Sequence, residues 1–430
     1  MRIALVVHKF PPASLGGTET YVRDLAASLS GRHEVYVYYR SNADAGDAFS
    51  EESAQIGGWT ERRVRYTLTA PGRTRLAVFH DSFLNGRIEQ SFDRFLRETS
   101  PDIVHFHHVA GLSARLLSMP AAAGIPSVMT LHDFWLMCYR SQLLDSSGLI
   151  CHTPNDPWAC AHCVRPTSPG SPGPAATLAR LPLAALFRYR QATLLSAARA
   201  PARLIAPSRF LLGVFRDNGF PEERLTYIEN GVALRRFADA KRAPDTGCLR
   251  IGYLGTLNRH KGVHILAEAF RGIPSGKASL RIFGDTSLFP SYVGELRCLL
   301  EGTEASLEGR LESDQIGAAL AECDILVVPS LWYENSPVVI QEAFACGVPV
   351  VASDLGALPE RVRDGVDAML FKPGDPNDLR SVLMELIENP DLLGRLRSGI
   401  QPPRSMTEHI LELENLYQSV SRDGSIERTS

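Results

Sequence analysis

The stretch PSLWYENSPVVIQEAFACGVP, Pro329–Pro349, decides how this chain is read. It follows the run Ile325-Leu326-Val327-Val328, which is apolar on both faces of a strand. Such a strand is covered on both sides, as in a parallel sheet. Ser336 then stands where an N-cap belongs, and Pro337 at the first helical position, where its fixed φ and missing N–H do no harm. The expected helix runs to about Cys346 and stops at Gly347. Strand, loop and helix in that order put the helix N-terminus at the carboxyl edge of the sheet. Its free backbone N–H groups and positive dipole end suit a diphosphate. Glu334 lies in the loop just before this point, and Glu342 inside the helix. Carboxylates accept hydrogen bonds from sugar hydroxyls, so one can hold a sugar and the other a ribose.

The same strand type recurs on either side. Ile3–Val7, Val35–Tyr38, Ile103–Phe106, Ser127–Thr130 and Arg203–Ala206 form one set. Arg250–Leu254, Leu280–Phe283, Ile325–Val328 and Val348–Val351 form a second. Alternation with longer amphipathic segments predicts an α/β chain of two Rossmann-like, doubly wound domains. The expected boundaries are 1–206 for the first domain and 207–400 for the second. Residues 401–430 then form a C-terminal helix crossing back to the first domain, with a frayed tail from about 421. A Cys-, Pro-, Ser- and Gly-rich insertion interrupts the first domain at about 138–175, and helical periodicity resumes near 176 and continues to about 198.

Composition narrows the class. A chain of 430 residues exceeds one ordinary core, and its 44% apolar and 22% charged residues are those of a globular protein. A net charge of −3 gives no electrostatic case for nucleic acid. No apolar run approaches the roughly 20 residues of a membrane span, and the start reads as a strand, so the expected location is cytoplasmic. Leu178–Arg190 mixes Leu and Phe with Arg180, Arg188 and Arg190. That composition suits either peripheral contact with the inner face of the membrane or a helix packed on the sheet, and packing is the expectation.

Other loops carry chemistry. Gly255–Gly262 follows a strand and holds Lys261, a cation that can neutralise a leaving diphosphate. Gly16 and Gly17 follow the first strand, where glycine permits positive φ and close approach to a ligand. His132 stands at a carboxyl strand edge, where α/β folds bind ligands, with a satisfied structural histidine as the alternative. His107 and His108 stand at another such edge, where they line an acceptor pocket or serve only the loop. Cys138, Cys151, Cys160 and Cys163 crowd the insertion, the last two as Cys-x2-Cys. The expectation is one structural zinc held by all four, with a redox pair or unconnected thiols as alternatives.

Here the chain resembles the family 4 retaining glycosyltransferases of the GT-B fold (glycosyl transferases group 1). Glu334 through Glu342 matches their Glu-x7-Glu signature, and Cys346–Ser353 and Gly365 are also similar. The resemblance implies two domains facing across a cleft and a nucleotide-sugar donor. It places Glu334 on the donor sugar and Glu342 on the ribose. Asn335, Ser336 and Pro337 fall on the diphosphate, Lys261 on the phosphates, His132 near the reaction centre, and Gly16 and Gly17 on the donor phosphate or acceptor. Base contacts fall near Gly309-Arg310-Leu311. Catalysis would rest on His132, Glu334 and Lys261 without a metal cofactor for chemistry. The family usually has Arg where Thr256 stands, and Arg259 and Arg209 are the candidates to replace it. The acceptor, carbohydrate, lipid-linked or small, stays unassigned, as part of polysaccharide or glycoconjugate synthesis. Two rival readings are a sugar-nucleotide-binding protein without turnover, prompted by Thr256, and a nucleotide-sugar epimerase, which lacks the Glu-x7-Glu stretch.

Overall fold

The computed structural model describes residues 1–12, 14, 16–42, 49–164, 181–244 and 247–426, the last four as backbone. The chain forms two compact units, Met1–Asn230 with Met406–Ser430, and Gly231–Ser405.

The first unit is built on eight strands: β1 (Arg2–Val7), β2 (Glu34–Ser41), β3 (Ser50–Ile56), β4 (Trp59–Arg65), β5 (Ile103–Phe106), β6 (Ser127–Thr130), β7 (Arg203–Ala206) and β8 (Leu225–Tyr227). Their order is β3-β4-β2-β1-β5-β6-β7-β8. Every pairing is parallel except β3 with β4, an antiparallel hairpin turned at Gly57 and Gly58, with φ of 58° and 103°. One face is covered by helix Gly17–Leu29 and the C-terminal helix Met406–Ile426. The latter inserts Met406, Ile410, Leu413, Tyr417 and Val420 into the core that holds Leu5, Val37 and Leu25. Spacings of three and four place these five side chains on one helical face. The helix continues past the expected fraying point at 421.

The second unit has six strands: β9 (Leu249–Leu254), β10 (Ala278–Phe283), β11 (Ala305–Gly309), β12 (Ile325–Val328), β13 (Val350–Ser353) and β14 (Ala368–Phe371). All are parallel, in the order β11-β10-β9-β12-β13-β14. Chain direction across the sheet reverses between β9 and β12, and crevices for ligands open at such a reversal. Ile325 and Val327 face one apolar layer and Leu326 and Val328 the other, so β12 is buried on both faces.

Three expectations change. The first unit runs on to Asn230, because β8 pairs with β7 in the same sheet, so the boundary at 206 falls inside it. The second unit ends at Ser405 rather than 400. At this junction Val232 donates its N–H to the Arg404 carbonyl at 3.0 Å and bridges Ser405, so both ends of the second unit lie side by side. The Cys-rich segment is described as far as Val164 and contains helix Pro157–Val164. The rest of that insertion, and Leu178–Arg180, lie outside the described residues. Helix Leu181–Ala197 buries Ala184, Phe187, Arg190, Gln191 and Leu194, with the Phe187 ring against Phe79 and Tyr139. This helix packs chiefly against helix Pro157–Val164 and the turn Ala114–Leu117. Among the described residues no helix is long and apolar enough to cross a membrane.

Candidate active site

In the second unit, β9 and β12 are neighbours at the reversal point, and the loops leaving their carboxyl ends carry the signature residues. The two loops are fastened together. Leu331 donates its N–H to the His260 carbonyl at 2.8 Å. Gly262 has φ +71°, and a Cβ there would fall 1.8 Å from the Pro329 carbonyl oxygen. Only glycine permits that approach. Lys261 is thereby delivered to Glu334. Its Nζ donates to Glu334 Oε1 at 2.7 Å and stands 4.9 Å from the Trp332 ring centre. Ser330 Oγ and Trp332 Nε1 donate to the same oxygen, at 2.6 and 2.8 Å. All three bonds fall on Oε1, and none of them uses Oε2.

Glu334 is 7% exposed. Burial opposes its charge, but Lys261, with Ser330 and Trp332, outweighs burial and holds the carboxyl below its ordinary value. A buried carboxylate survives only when paired and hydrogen-bonded in this way.

The helix after the loop is Val338–Ala345, one residue shorter at its start than expected. Pro337 is the N-cap, with ψ of 103°, and no side chain caps the helix. Ser336 was expected in that role. Its Oγ instead accepts from Arg361 Nη2 at 3.4 Å. The N-terminal amides therefore keep their donors clear of any capping side chain, as an anion site requires. Asn335 is buried beside them. Glu342, inside the helix and buried, accepts from Arg236 Nη2 at 3.1 Å, and Arg236 Nη1 donates to Ser313 Oγ at 2.7 Å. Arg236 and Arg361 were not foreseen. They lie 106 and 25 residues from their partners, and no local pattern marks them.

Thr256 is exposed, and its carbonyl accepts from the Tyr253 hydroxyl at 3.0 Å. The two proposed substitutes for the family Arg lie in different units. Arg259 donates to both oxygens of Glu295, at 2.6 and 2.7 Å. Arg209 belongs to the first unit, where its guanidinium lies 4.6 Å from the Tyr227 ring centre. Arg361, beside Ser336, is a second cation, after Lys261, that the structure sets at the signature loop. Arg310 and Leu311 follow β11 at the same sheet edge, and Arg310 pairs with Glu312 at 3.5 Å across exposed side chains.

The first unit gathers its predicted residues at its own order reversal, between β1 and β5. Gly16 has φ −81°, so positive φ is not why glycine stands there. A Cβ would meet Glu19 Oε2 at 2.4 Å. The Gly17 Cβ position is open, with nothing within 4 Å. Glu19 is buried, accepts from Ser14 Oγ at 2.7 Å and lies 3.6 Å from His8 Nε2. His132 Nε2 is 3.2 Å from His107 Nδ1, with the Tyr21 ring 5.2 Å away. Burial, then the nearby His108 charge, pushes His132 down to about 3, so it is a neutral imidazole at physiological pH. His8, His105 and His107 are likewise held well below 6.5, mainly by burial. Burial also opposes charge on His108, but Asp133 Oδ2 at 2.7 Å outweighs it and raises His108 above its ordinary range. This ion pair ties the loop after β5 to the loop that carries His132. The C-terminal helix completes the cluster, with Tyr417 OH 2.6 Å from His105 Nδ1 and His409 Nε2 2.6 Å from Tyr21 OH.

Cys138, Cys151, Cys160 and Cys163 line one cavity of about 30 Å³ in this unit. All four are free thiols, and among the described residues no three His, Cys, Asp or Glu side chains are arranged to hold a metal ion. The expected convergence on a single point is therefore not present in the structure.

The sequence matches the glycosyltransferase family 4 model over residues 15–236, more than half of the chain, and the glycosyl transferases group 1 model over residues 248–389. An uncharacterized glycosyltransferase of Methanocaldococcus jannaschii is 29% identical over 172 residues, 39% of this chain and 48% of that protein. The chain thus spans about half the length of the curated relatives it matches. Two solved structures superpose over nearly the whole chain. Sucrose-phosphate synthase from Thermosynechococcus elongatus gives a TM-score of 0.70 at 18% identity, covering 97% of this chain and 98% of that one. The Anabaena protein HepE, solved with UDP and glucose, gives 0.64 at 20% identity, covering 97% and 100%. At such identities the likeness concerns the fold, which is GT-B.

Proposed function

The chain belongs to glycosyltransferase family 4, and on that premise we propose that it moves a sugar from a nucleotide-diphosphate donor to an acceptor hydroxyl with retention of configuration. The observation that carries this reading is Glu334. Its charge is fixed by three donors on Oε1, at the carboxyl ends of adjacent central strands, beside an uncapped helix N-terminus. A second oxygen free of those bonds can accept from donor-sugar hydroxyls. Lys261 sits where it can meet the diphosphate as it leaves, with the backbone amides after Pro337 and the Arg361 guanidinium sharing the negative charge. Glu342, paired on one side with Arg236, is the group for the ribose.

In this mechanism the acceptor hydroxyl attacks the face from which the diphosphate departs. Its proton passes to the leaving phosphate oxygen. Neutral His132 supplies a hydrogen bond rather than a charge. Lys261 and the helix amides carry the electrostatic load in place of a metal ion.

The test is a thermal-shift panel of UDP-, GDP- and ADP-sugars. A true donor at about 100-fold excess over its Kd adds roughly 2.7 kcal/mol of stability. Glu342→Ala should abolish the shift. A panel without any shift would overturn the reading. Thr256 favours one second reading, a sugar-nucleotide-binding protein without turnover. Stabilisation by a donor, with neither its hydrolysis nor its transfer, would select that reading.

A further inference from the structure

The first unit gathers charge at a second place, beside its histidine cluster. Arg40 stands near the carboxyl end of β2 and is 7% exposed. Its Nη1 donates to the Tyr66 carbonyl at 2.7 Å and to Asn42 Oδ1 at 3.3 Å. Its Nε has no hydrogen-bond partner, and among the described residues no carboxylate pairs with it. Burial therefore lowers its pKa unopposed. A buried cation without a counter-charge is strongly unfavourable. Negative charge brought close to it would relieve that cost.

Tyr66, whose carbonyl takes Arg40, is also one wall of a cavity of about 420 Å³. Arg73, Asp81, Asn85, Arg87 and Gln90 are others. The volume is that of a small-molecule site, far beyond a packing void. Asp81 accepts from the Tyr66 hydroxyl at 2.7 Å and pairs with Arg73, so its charge is already answered. Arg87 is exposed in the first turn of helix Gly86–Thr99 and makes no ion pair among the described residues. A cation there opposes the helix dipole, so the helix does not account for it. Asn85 caps the same helix. Its Oδ1 accepts from the Arg87 and Ile88 amides at 3.1 and 3.3 Å, which turns its Nδ2 away from the helix end. Asn85 is 4% exposed, and that Nδ2 has no partner. A buried donor without an acceptor costs about as much as a lost hydrogen bond. Arg40, Arg87 and Asn85 are three separate misfits, and an oxyanion in the cavity would answer all of them.

We propose that this cavity receives the acceptor, and that the acceptor carries an oxyanion, a carboxylate or a phosphate, bound by Arg87 and Asn85. The inference rests on the transfer reading given above. Strands β2 and β4 run parallel to β1, β5 and β6, so the loop at Tyr66 leaves the same carboxyl edge that carries His132. Arg40, Arg73 and Arg87 face the single carboxylate of Asp81, which leaves an excess of two positive charges around the cavity. That excess suits a phosphate or carboxylate, whereas a neutral sugar would leave Arg40 and Arg87 unanswered. Arg87 and Asn85 Nδ2 donate to the anion. Arg40, behind the Tyr66 wall, adds field without contact. Gln90, one helical turn beyond Gly86, is left for hydroxyls of the same molecule.

The test is calorimetric titration of the full-length protein, without donor, by glucose, glucuronate, glucose 6-phosphate and inorganic phosphate. At least one sugar anion should bind about tenfold or more tightly than glucose, and the better of the two identifies the oxyanion. Arg87→Ala should weaken that binding about tenfold, the effect of one hydrogen bond to a charged group. Arg87→Lys should restore part of it. Arg216→Ala, which removes an exposed arginine elsewhere on the first unit, should change nothing. In Arg87→Ala the thermal shift given by a nucleotide-sugar donor should stay as in wild type. Sugar anions that bind no more tightly than glucose would overturn the proposal. So would binding unchanged by Arg87→Ala. Inorganic phosphate that binds as tightly as the sugar anions would overturn the acceptor role and leave an adventitious ion only. A donor panel without any shift strikes the transfer reading by itself, because anion binding is read in the absence of donor.

Discussion

The two units share a doubly wound parallel sheet and place their predicted residues at the same topological point, yet they bury different chemistry there. The first buries imidazoles. His105 and His107 are fully enclosed, with His8 and His132 packed beside them, and all four are held neutral. The second buries ion pairs. Asp324 accepts from Arg397 Nη2 at 2.6 Å and from Arg250 Nε and Nη2 at 3.0 Å each, while Glu334 takes Lys261 and Glu342 takes Arg236. A neutral imidazole both donates and accepts, so it enters a core without a counter-ion. A carboxylate cannot, and it brings its cation with it. The second unit thus holds several cations positioned at its carboxylates, whereas the first, apart from the His108–Asp133 pair, offers at this point hydrogen bonds that carry little field.

Acid should separate the units most. Each depressed histidine takes up its proton in the unfolded chain near pH 6.5 but stays neutral in the fold, down to about 3 for His132. Stability is therefore lost as pH falls below about 6.5, at up to about 1.4 kcal/mol per pH unit per group. Four such groups remove several kcal/mol by pH 5. The second unit's Asp324 and Glu334 are lowered carboxylates, whose contribution is lost only as pH falls through their folded values, below the ordinary 3.8 and 4.5. Hydrogen exchange at pH 5, corrected for intrinsic rates, should show the first unit opening while the second stays protected. The reverse order would break the contrast.

A glycine pair comes next. Gly262→Ala meets both a positive φ and a backbone oxygen, so it should cost about 4 kcal/mol or unfold the second unit. Gly17→Ala meets open space and should leave thermal stability within about 0.5 kcal/mol of wild type. Equal effects in a melting experiment would mean the loop fastening is misjudged. Glu334→Gln keeps the shape but removes the charge opposite Lys261. Turnover should fall about 10²–10³-fold, roughly 2.7–4 kcal/mol, with donor affinity nearly kept. Steady-state kinetics with a KM change and intact kcat would reassign Glu334 to ground-state binding. The smallest expected effect is none at all. A brief EDTA pulse should leave transfer unchanged, and an immediate loss restored by Mg²⁺ or Mn²⁺ would contradict catalysis by protein cations alone.

What could be read in the sequence follows the same divide. Buried parallel strands announce themselves as unbroken β-branched runs, so every central strand was visible. The hairpin β3–β4 was not. Ser50–Ile56 is mostly polar and exposed, and its pairing comes from β4 and the Gly57-Gly58 turn. Lys261, Glu334 and Glu342 were visible because motif and strand context coincide. Their mutual pairing was not, since one-dimensional spacing does not say which loop leans on which. The Ser336 cap failed because Arg361 takes its hydroxyl. The histidine cluster depends on Tyr417 and His409, more than 300 residues away from the residues they bond.

The C-terminal helix has a consequence for synthesis on the ribosome. Met406, Ile410, Leu413, Tyr417 and Val420 belong to the core of the first unit, so that unit cannot close until the last stretch of chain has been made. Between Asn230 and Met406 the ribosome must translate the whole of Gly231–Ser405. At about 5–20 residues per second that takes roughly 9–35 s. During this interval the face of β1 and β2 that the helix will cover is held open on a nascent chain. The inserted unit, whose two ends meet through Val232 and Ser405, can close once Ser405 has emerged. The order of completion is therefore the reverse of the order of translation, and the first unit to begin is the last to finish.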